Sequence, residues 1–180
     1  IYVSASLEHP GVLVQHGPIL RVVFGPRDPS YISPILSAIQ SDLCESGIDG
    51  VLSTHIQRDA LEKFSYVSPI GAAGVYLHAV AGDFQKEGPA RELFKSMIRE
   101  ISALAAAMGY PFEKDYVQIN LEILSNLSAD ATTSMQRDIM EGKPSELDGL
   151  VMEPLRLAKK YSVSMPCYEE VAKVLCPLEF

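Results

Sequence analysis

The 180-residue sequence predicts an α/β segment followed by an all-helical domain. Three observations predict it. β-Branched and aromatic residues with strand character crowd the first quarter. From about Ile56 onward the apolar repeats take helical steps of three and four. Prolines and glycines then fall at the joints of those repeats: Gly88-Pro89, Gly109 ahead of Pro111, and Lys143-Pro144. With 47% hydrophobic residues a sizeable core is available, and the length suits one domain or one and a fraction.

Taken in order, residues 1–6 form a strand that Pro10-Gly11 punctuates. Residues 12–15 and 19–24 read as two more strands, with His16-Gly17-Pro18 as the turn between them and Gly25-Pro26 as the stop. Residues 33–45 place Leu36, Ile39 and Leu43 at helical steps, and Gly47 is suited to the C-cap. Residues 50–55 give a further short strand. The first 55 residues are therefore expected as β-β-β-α-β, part of a sheet with too little surface to be a full α/β domain. Helices are expected over 56–75, from Pro89 to Gly109, and over 116–127, 134–141, 147–161 and 167–175. The one at Pro89 carries Leu93, Met97, Ile98, Ile101, Leu104 and Ala105. The domain boundary is expected between His55 and Asp59, giving domains 1–55 and 56–180. No initiator methionine precedes the opening strand, so we read the chain as part of something longer.

A net charge of −8 argues against nucleic acid, whose phosphates need a basic surface, and against an anionic membrane. No apolar run reaches the roughly twenty residues of a membrane span. Cys44, Cys167 and Cys176 lack metal-ligand spacing and are expected as buried, reduced thiols of a cytoplasmic protein. The four histidines form no H-x-x-x-H pair, so no metal site is expected. Glycine-rich nucleotide-binding patterns and the G-x-S-x-G elbow are absent.

Lys63 is the most informative residue. Ile56, Ala60, Lys63 and Val67 fall on one stripe at steps of four, three and four, and the other three are apolar. An ammonium on a buried stripe loses hydration and needs a partner or a task. Alternatively, its stem packs while the charge reaches water. Further along the same helix, Pro69 should kink it near Ser65, and Gly71-Ala72-Ala73-Gly74 has almost no side-chain bulk. Either another helix or a ligand approaches that backbone, and helix packing is the commoner cause. Thr133 followed by Gln136 forms a capping box, which puts Ser134 in the first turn of a helix. Free N–H groups there suit a carboxylate, although Ser134 could equally be a second capping residue. Glu146 follows twelve residues later in a similar first turn, where an acidic residue also complements the dipole without any further role.

Together these stretches resemble the second half of the ketopantoate reductase (2-dehydropantoate 2-reductase) family. Residues 2–25 resemble the last strands of its nucleotide-binding domain. Ala60-Leu61-Glu62-Lys63-Phe64 resembles the helix start that carries the catalytic lysine. Ser134-Met135-Gln136-Arg137-Asp138, a spacer, then Ser145-Glu146-Leu147-Asp148 resembles the pattern S-M-x-x-D…[T/S]-E-[I/L]-D, with matching Ser-to-Glu spacing. The resemblance implies the remnant of a Rossmann-type domain followed by a helical domain like the C-terminal domain of 6-phosphogluconate dehydrogenase. It implies NADPH as cofactor of the intact protein, a 2-oxo acid as substrate, a homodimer, and pantothenate biosynthesis. Lys63 would be the catalytic acid, Ser134 would bind substrate, and Glu146 would contact the cofactor or orient Lys63. Two departures stand out. Val67 and Gly71 occupy positions where the family commonly has substrate-binding asparagines, and the glycine-rich half is not in this sequence, so the chain alone should be inactive. The rival expectation is a non-catalytic helical interaction module derived from such a reductase. A strand and G-x-G-x-x-G upstream of Ile1 would favour the enzyme.

Overall fold

The computed structural model describes residues 1–31 and 33–177. It divides into two compact units, residues 1–59 and 60–180.

The first unit holds β1 (Tyr2–His9), β2 (Val12–Phe24), α1 (Pro34–Glu45) and β3 (Asp49–Leu52), in a sheet of order β1-β2-β3. β1 and β2 form an antiparallel hairpin, and Gly11 turns it at φ +87°. β2 and β3 are parallel, joined by α1 as the crossover, and Arg21 pairs with Asp49 across them at 2.5 Å. The order is β-β-α-β, which corrects the expected β-β-β-α-β. The pairing runs from Val3 opposite Leu20 straight to Ala5 opposite Gln15, so His16-Gly17-Pro18 is absorbed as a bulge inside one long strand. Gly-Pro is equally suited to a reversal and a bulge. The length of β1 decides, because it has residues left to pair on both sides. α1 ends on Gly47, at φ +78°, whose N–H donates to the Cys44 carbonyl while Ile48 N–H reaches the Leu43 carbonyl.

α2 (Ile56–Leu77) runs unbroken through Pro69. The remaining elements are α3 (Ala81–Gln85), α4 (Pro89–Ala107), α5 (Tyr116–Ser125), α6 (Ser134–Met140), a π-helical turn (Asp148–Met152), α7 (Glu153–Tyr161) and α8 (Pro166–Leu175). α4 forms the centre of the helical core. Phe94, Met97, Ile98, Ile101 and Leu104 are all buried, and the Phe94 ring meets Tyr66 and Phe84 edge-on at 6.0 and 5.9 Å. From its outer flank Glu100 accepts the Cys167 and Tyr168 N–H groups at 2.8 and 3.1 Å, capping α8 with a carboxylate from another helix.

Three expectations are corrected here. α3 was not foreseen, because five residues are too few for a helical period to register; Asp83 holds its start by accepting the Val80 N–H. The helix expected over 147–161 is divided, with Glu153 N–H bonding back five residues to Asp148. The bidentate Arg156–Asp148 ion pair ties the π-helical turn to α7. The cysteines are not buried: Cys44 is exposed, and Cys167 and Cys176 are half-buried.

Candidate active site

Lys63 is half-buried on α2. Two turns further along, Gly71 and Gly74 are where other segments seat themselves, so the small-residue run serves helix packing. A Cβ on Gly71 would lie 3.1 Å from Met135 Cε and 3.8 Å from Leu150 Cδ1. Met135 adjoins Ser134, and Leu150 N–H donates to the Glu146 carbonyl at 2.9 Å. The segments carrying Ser134 and Glu146 thus converge on one turn of the lysine helix, while Lys63 stands eight residues earlier, about 12 Å along an ideal axis.

Ser134 is exposed at the first position of α6, as its spacing predicted. Thr133 Oγ1 accepts the Gln136 N–H at 3.2 Å, and Gln136 Oε1 accepts the Thr133 N–H at 2.9 Å, completing the expected capping box. Glu146 is exposed just ahead of the π-helical turn. It contributes its carbonyl to that turn from outside, which corrects the expectation that it lies within the first turn.

Gln136 also donates to the Ala79 carbonyl at 2.7 Å, and a Cβ on Gly74 would come within 2.8 Å of its amide carbon. Three bonds hold that amide, so it cannot swing aside cheaply. Gly74→Val is expected to destabilise the helical unit by about 3 kcal/mol through overpacking and a lost buried bond. A shift of the urea midpoint to lower concentration checks this, and an unchanged midpoint would show that α6 yields freely.

The position of α2 is fixed by two prolines and what they leave behind. Pro69 has no N–H to give the Ser65 carbonyl, four residues back in the helix. Buried Asn120 of α5 supplies one instead, donating to Ser65 O and to Ser65 Oγ at 3.1 Å each. Pro154 likewise has none for the Leu150 carbonyl. Ser68, the residue before Pro69, donates its hydroxyl proton to that carbonyl at 2.6 Å. With its proton so committed, Ser68 Oγ accepts from Tyr168 OH at 2.5 Å. Ser65, Ser68 and Tyr168 are fully buried. Burial pushes the Tyr168 phenol far above its usual range, so it remains a donor.

Sequence reasoning missed Asn120, Ser68 and Tyr168. Each internal proline does name the carbonyl four residues back as needing a donor, but nothing local says which distant side chain provides it.

The family model described as "Ketopantoate reductase PanE/ApbA C terminal" matches residues 55–179. The chain belongs to this family. It is 24% identical over 135 residues to a 2-dehydropantoate 2-reductase of Nostoc sp., covering 75% of this chain and 42% of that protein. The crystal structure of 2-dehydropantoate 2-reductase from Methylococcus capsulatus superposes with a TM-score of 0.85 at 22% identity, over 99% of this chain and 56% of that one. D-mandelate dehydrogenase in complex with NADH superposes at 0.79 and 19% identity, over 95% of this chain and 58% of the other. The chain spans about half the length of the curated relatives it matches.

Proposed function

We propose that the intact protein reduces a 2-oxo acid to the 2-hydroxy acid, as the names of its 2-dehydropantoate 2-reductase relatives describe for 2-dehydropantoate, that NADPH is its reductant, and that this chain is the C-terminal part of that enzyme. On this reading the first unit is the end of a Rossmann-type domain and the helical unit binds substrate and dimerises. The nicotinamide supplies a hydride to the carbonyl carbon. The Lys63 ammonium hydrogen-bonds the carbonyl oxygen and passes it a proton as charge develops, which balances the reduction. Ser134 holds the substrate's carboxylate or hydroxyl at the free N–H groups of α6, and Glu146 orients Lys63 or meets the cofactor. The chain has no G-x-G-x-x-G, so its residues suit only the reacting end of the cofactor and leave the phosphates to the other half.

The family match over residues 55–179, the stretch in which Lys63, Ser134 and Glu146 lie, carries the reading. The seating of the Ser134 and Glu146 segments on one turn of the lysine helix supports it. Exposed Leu77, Ile123, Leu127, Ile139 and Met140 on the helical unit support a homodimer. Reduced cysteines support a cytoplasmic enzyme. Among the described residues no helix is long and apolar enough to cross a membrane.

The test is a panel of 2-oxo acids offered to the intact protein with NADPH and with NADH. Cofactor oxidation that depends on the acid is expected. Its absence throughout, alongside concentration-dependent self-association, would leave the non-catalytic module.

A further inference from the structure

Pro69 divides the candidate site in two. Lys63 stands six residues before it on α2. Gly71, against which Met135 and Leu150 seat the Ser134 and Glu146 segments, stands two residues after it. Six residues are about 9 Å of helix, so a change of about 10° in the bend at Pro69 would carry Lys63 about 1.5 Å relative to Ser134 and Glu146. The helix resists such bending least at this point. The proline removes one rung of the hydrogen-bond ladder, and its ring crowds the Ser65 carbonyl.

Asn120 acts on this weak point. Its amide donates to Ser65 O and to Ser65 Oγ, and Ser65 Oγ in turn donates to Glu62 O at 2.7 Å. The link runs from α5 through Ser65 to the carbonyl that immediately precedes Lys63, so it brackets the turn carrying the lysine. α5 is a fixed post for it. Asp115 caps its start by accepting the Val117 and Gln118 N–H groups, Leu124 is buried one turn beyond Asn120, and Gln85 of α3 donates to the Leu124 and Leu127 carbonyls at its end. One bond would suffice to satisfy the bare carbonyl; the second, to the hydroxyl, also restrains the direction of the turn. We propose that Asn120 is a positioning residue for the reductase chemistry: it locks the bend at Pro69 and so fixes where Lys63 stands relative to Ser134 and Glu146. This rests on the reductase reading, in which those three residues serve one substrate. A misplacement of about 1 Å can cost about a hundredfold in rate, so a side chain that touches no substrate can govern kcat.

Kinetics of the intact protein in two backgrounds test it, with a 2-oxo acid that the wild type reduces. Asn120→Ala is expected to lower kcat about thirtyfold while KM stays within about threefold, because Ser134 is seated beyond the bend. Pro69→Ala gives Ser65 back its backbone donor, and in that background Asn120→Ala should lower kcat by less than about threefold. An asparagine with a merely structural role would lower Tm and leave the kcat of the folded enzyme alone. An undiminished kcat in Asn120→Ala, or an equal loss in both backgrounds, overturns the proposal. If Asn120→Ala does not fold by itself, the double variant is judged against Pro69→Ala, since its helix carries no bare carbonyl: similar kcat values support the lock, and a loss of about thirtyfold rejects it. If the wild type reduces no 2-oxo acid, the reductase reading fails on its own, and the bend is judged without chemistry. Nitroxide labels on Ala60→Cys of α2 and Ala103→Cys of α4, both exposed positions, are placed in a protein whose Cys44, Cys167 and Cys176 are replaced by Ser. A broadened or shifted label-to-label distance in Asn120→Ala that Pro69→Ala reverses supports the lock, and an unchanged distance rejects it.

Discussion

Lys63→Ala in the intact protein is expected to lower kcat about a thousandfold and leave the fold intact. An ammonium that both stabilises the developing oxyanion and delivers its proton is worth about 10²–10⁴ in rate, and no neighbour on an apolar stripe can stand in for it. Alanine is the best helix former, so the helix propensity of α2 does not fall. Lys63→Arg separates the two roles. Guanidinium keeps the charge but holds its proton too tightly to donate it, so KM should stay within a few-fold of wild type while kcat falls nearly as far as in the alanine variant. Steady-state kinetics with a circular dichroism melt as control decide the matter. Full turnover in Lys63→Ala would remove the residue from the chemistry.

Ser68→Ala is expected to cost about 3 kcal/mol in urea denaturation of the helical unit, as much as Gly74→Val. The hydroxyl serves two buried groups at once, donating to the Leu150 carbonyl and accepting from Tyr168. Its loss strands both, and a stranded buried group costs about 1–3 kcal/mol. Tyr168→Phe should cost less, about 1 kcal/mol, because Ser68 keeps its bond to Leu150. Pro154→Ala supplies the test of cause. It returns an N–H four residues after Leu150, so adding it to Ser68→Ala should recover part of the loss, whereas strict additivity of the two changes would show that the carbonyl is satisfied by other means.

Much of this organisation was legible in the sequence because it depends on local rules. The Thr133–Gln136 box, the start of α4 at Pro89 and its stop at Gly109 follow from capping chemistry, and each falls where its residues predict. The apolar period of α4 gave its buried face, except that Leu93 is only half-buried and the fully buried Phe94 was missed. What failed required knowledge of a partner. His16-Gly17-Pro18 became a bulge because of what β1 could pair with, and the division at Asp148–Met152 adds one residue to a turn without disturbing the apolar pattern. For the site, residue types and spacing singled out Lys63, Ser134 and Glu146. The devices that position their segments depend on contacts 55 to 100 residues apart in sequence.

The pairing of each proline with a remote donor constrains how descendants of this chain can drift. If Asn120 mutates first, a carbonyl is left bare, and selection meets the full penalty at once. If Pro69 goes first, the backbone recovers its own amide proton, and Asn120 becomes dispensable afterwards. For Pro154 and Ser68 the asymmetry is only partial, because Ser68 is still needed to accept from Tyr168. Neutral paths away from this arrangement therefore run through the imino acids before the side chains that compensate for them.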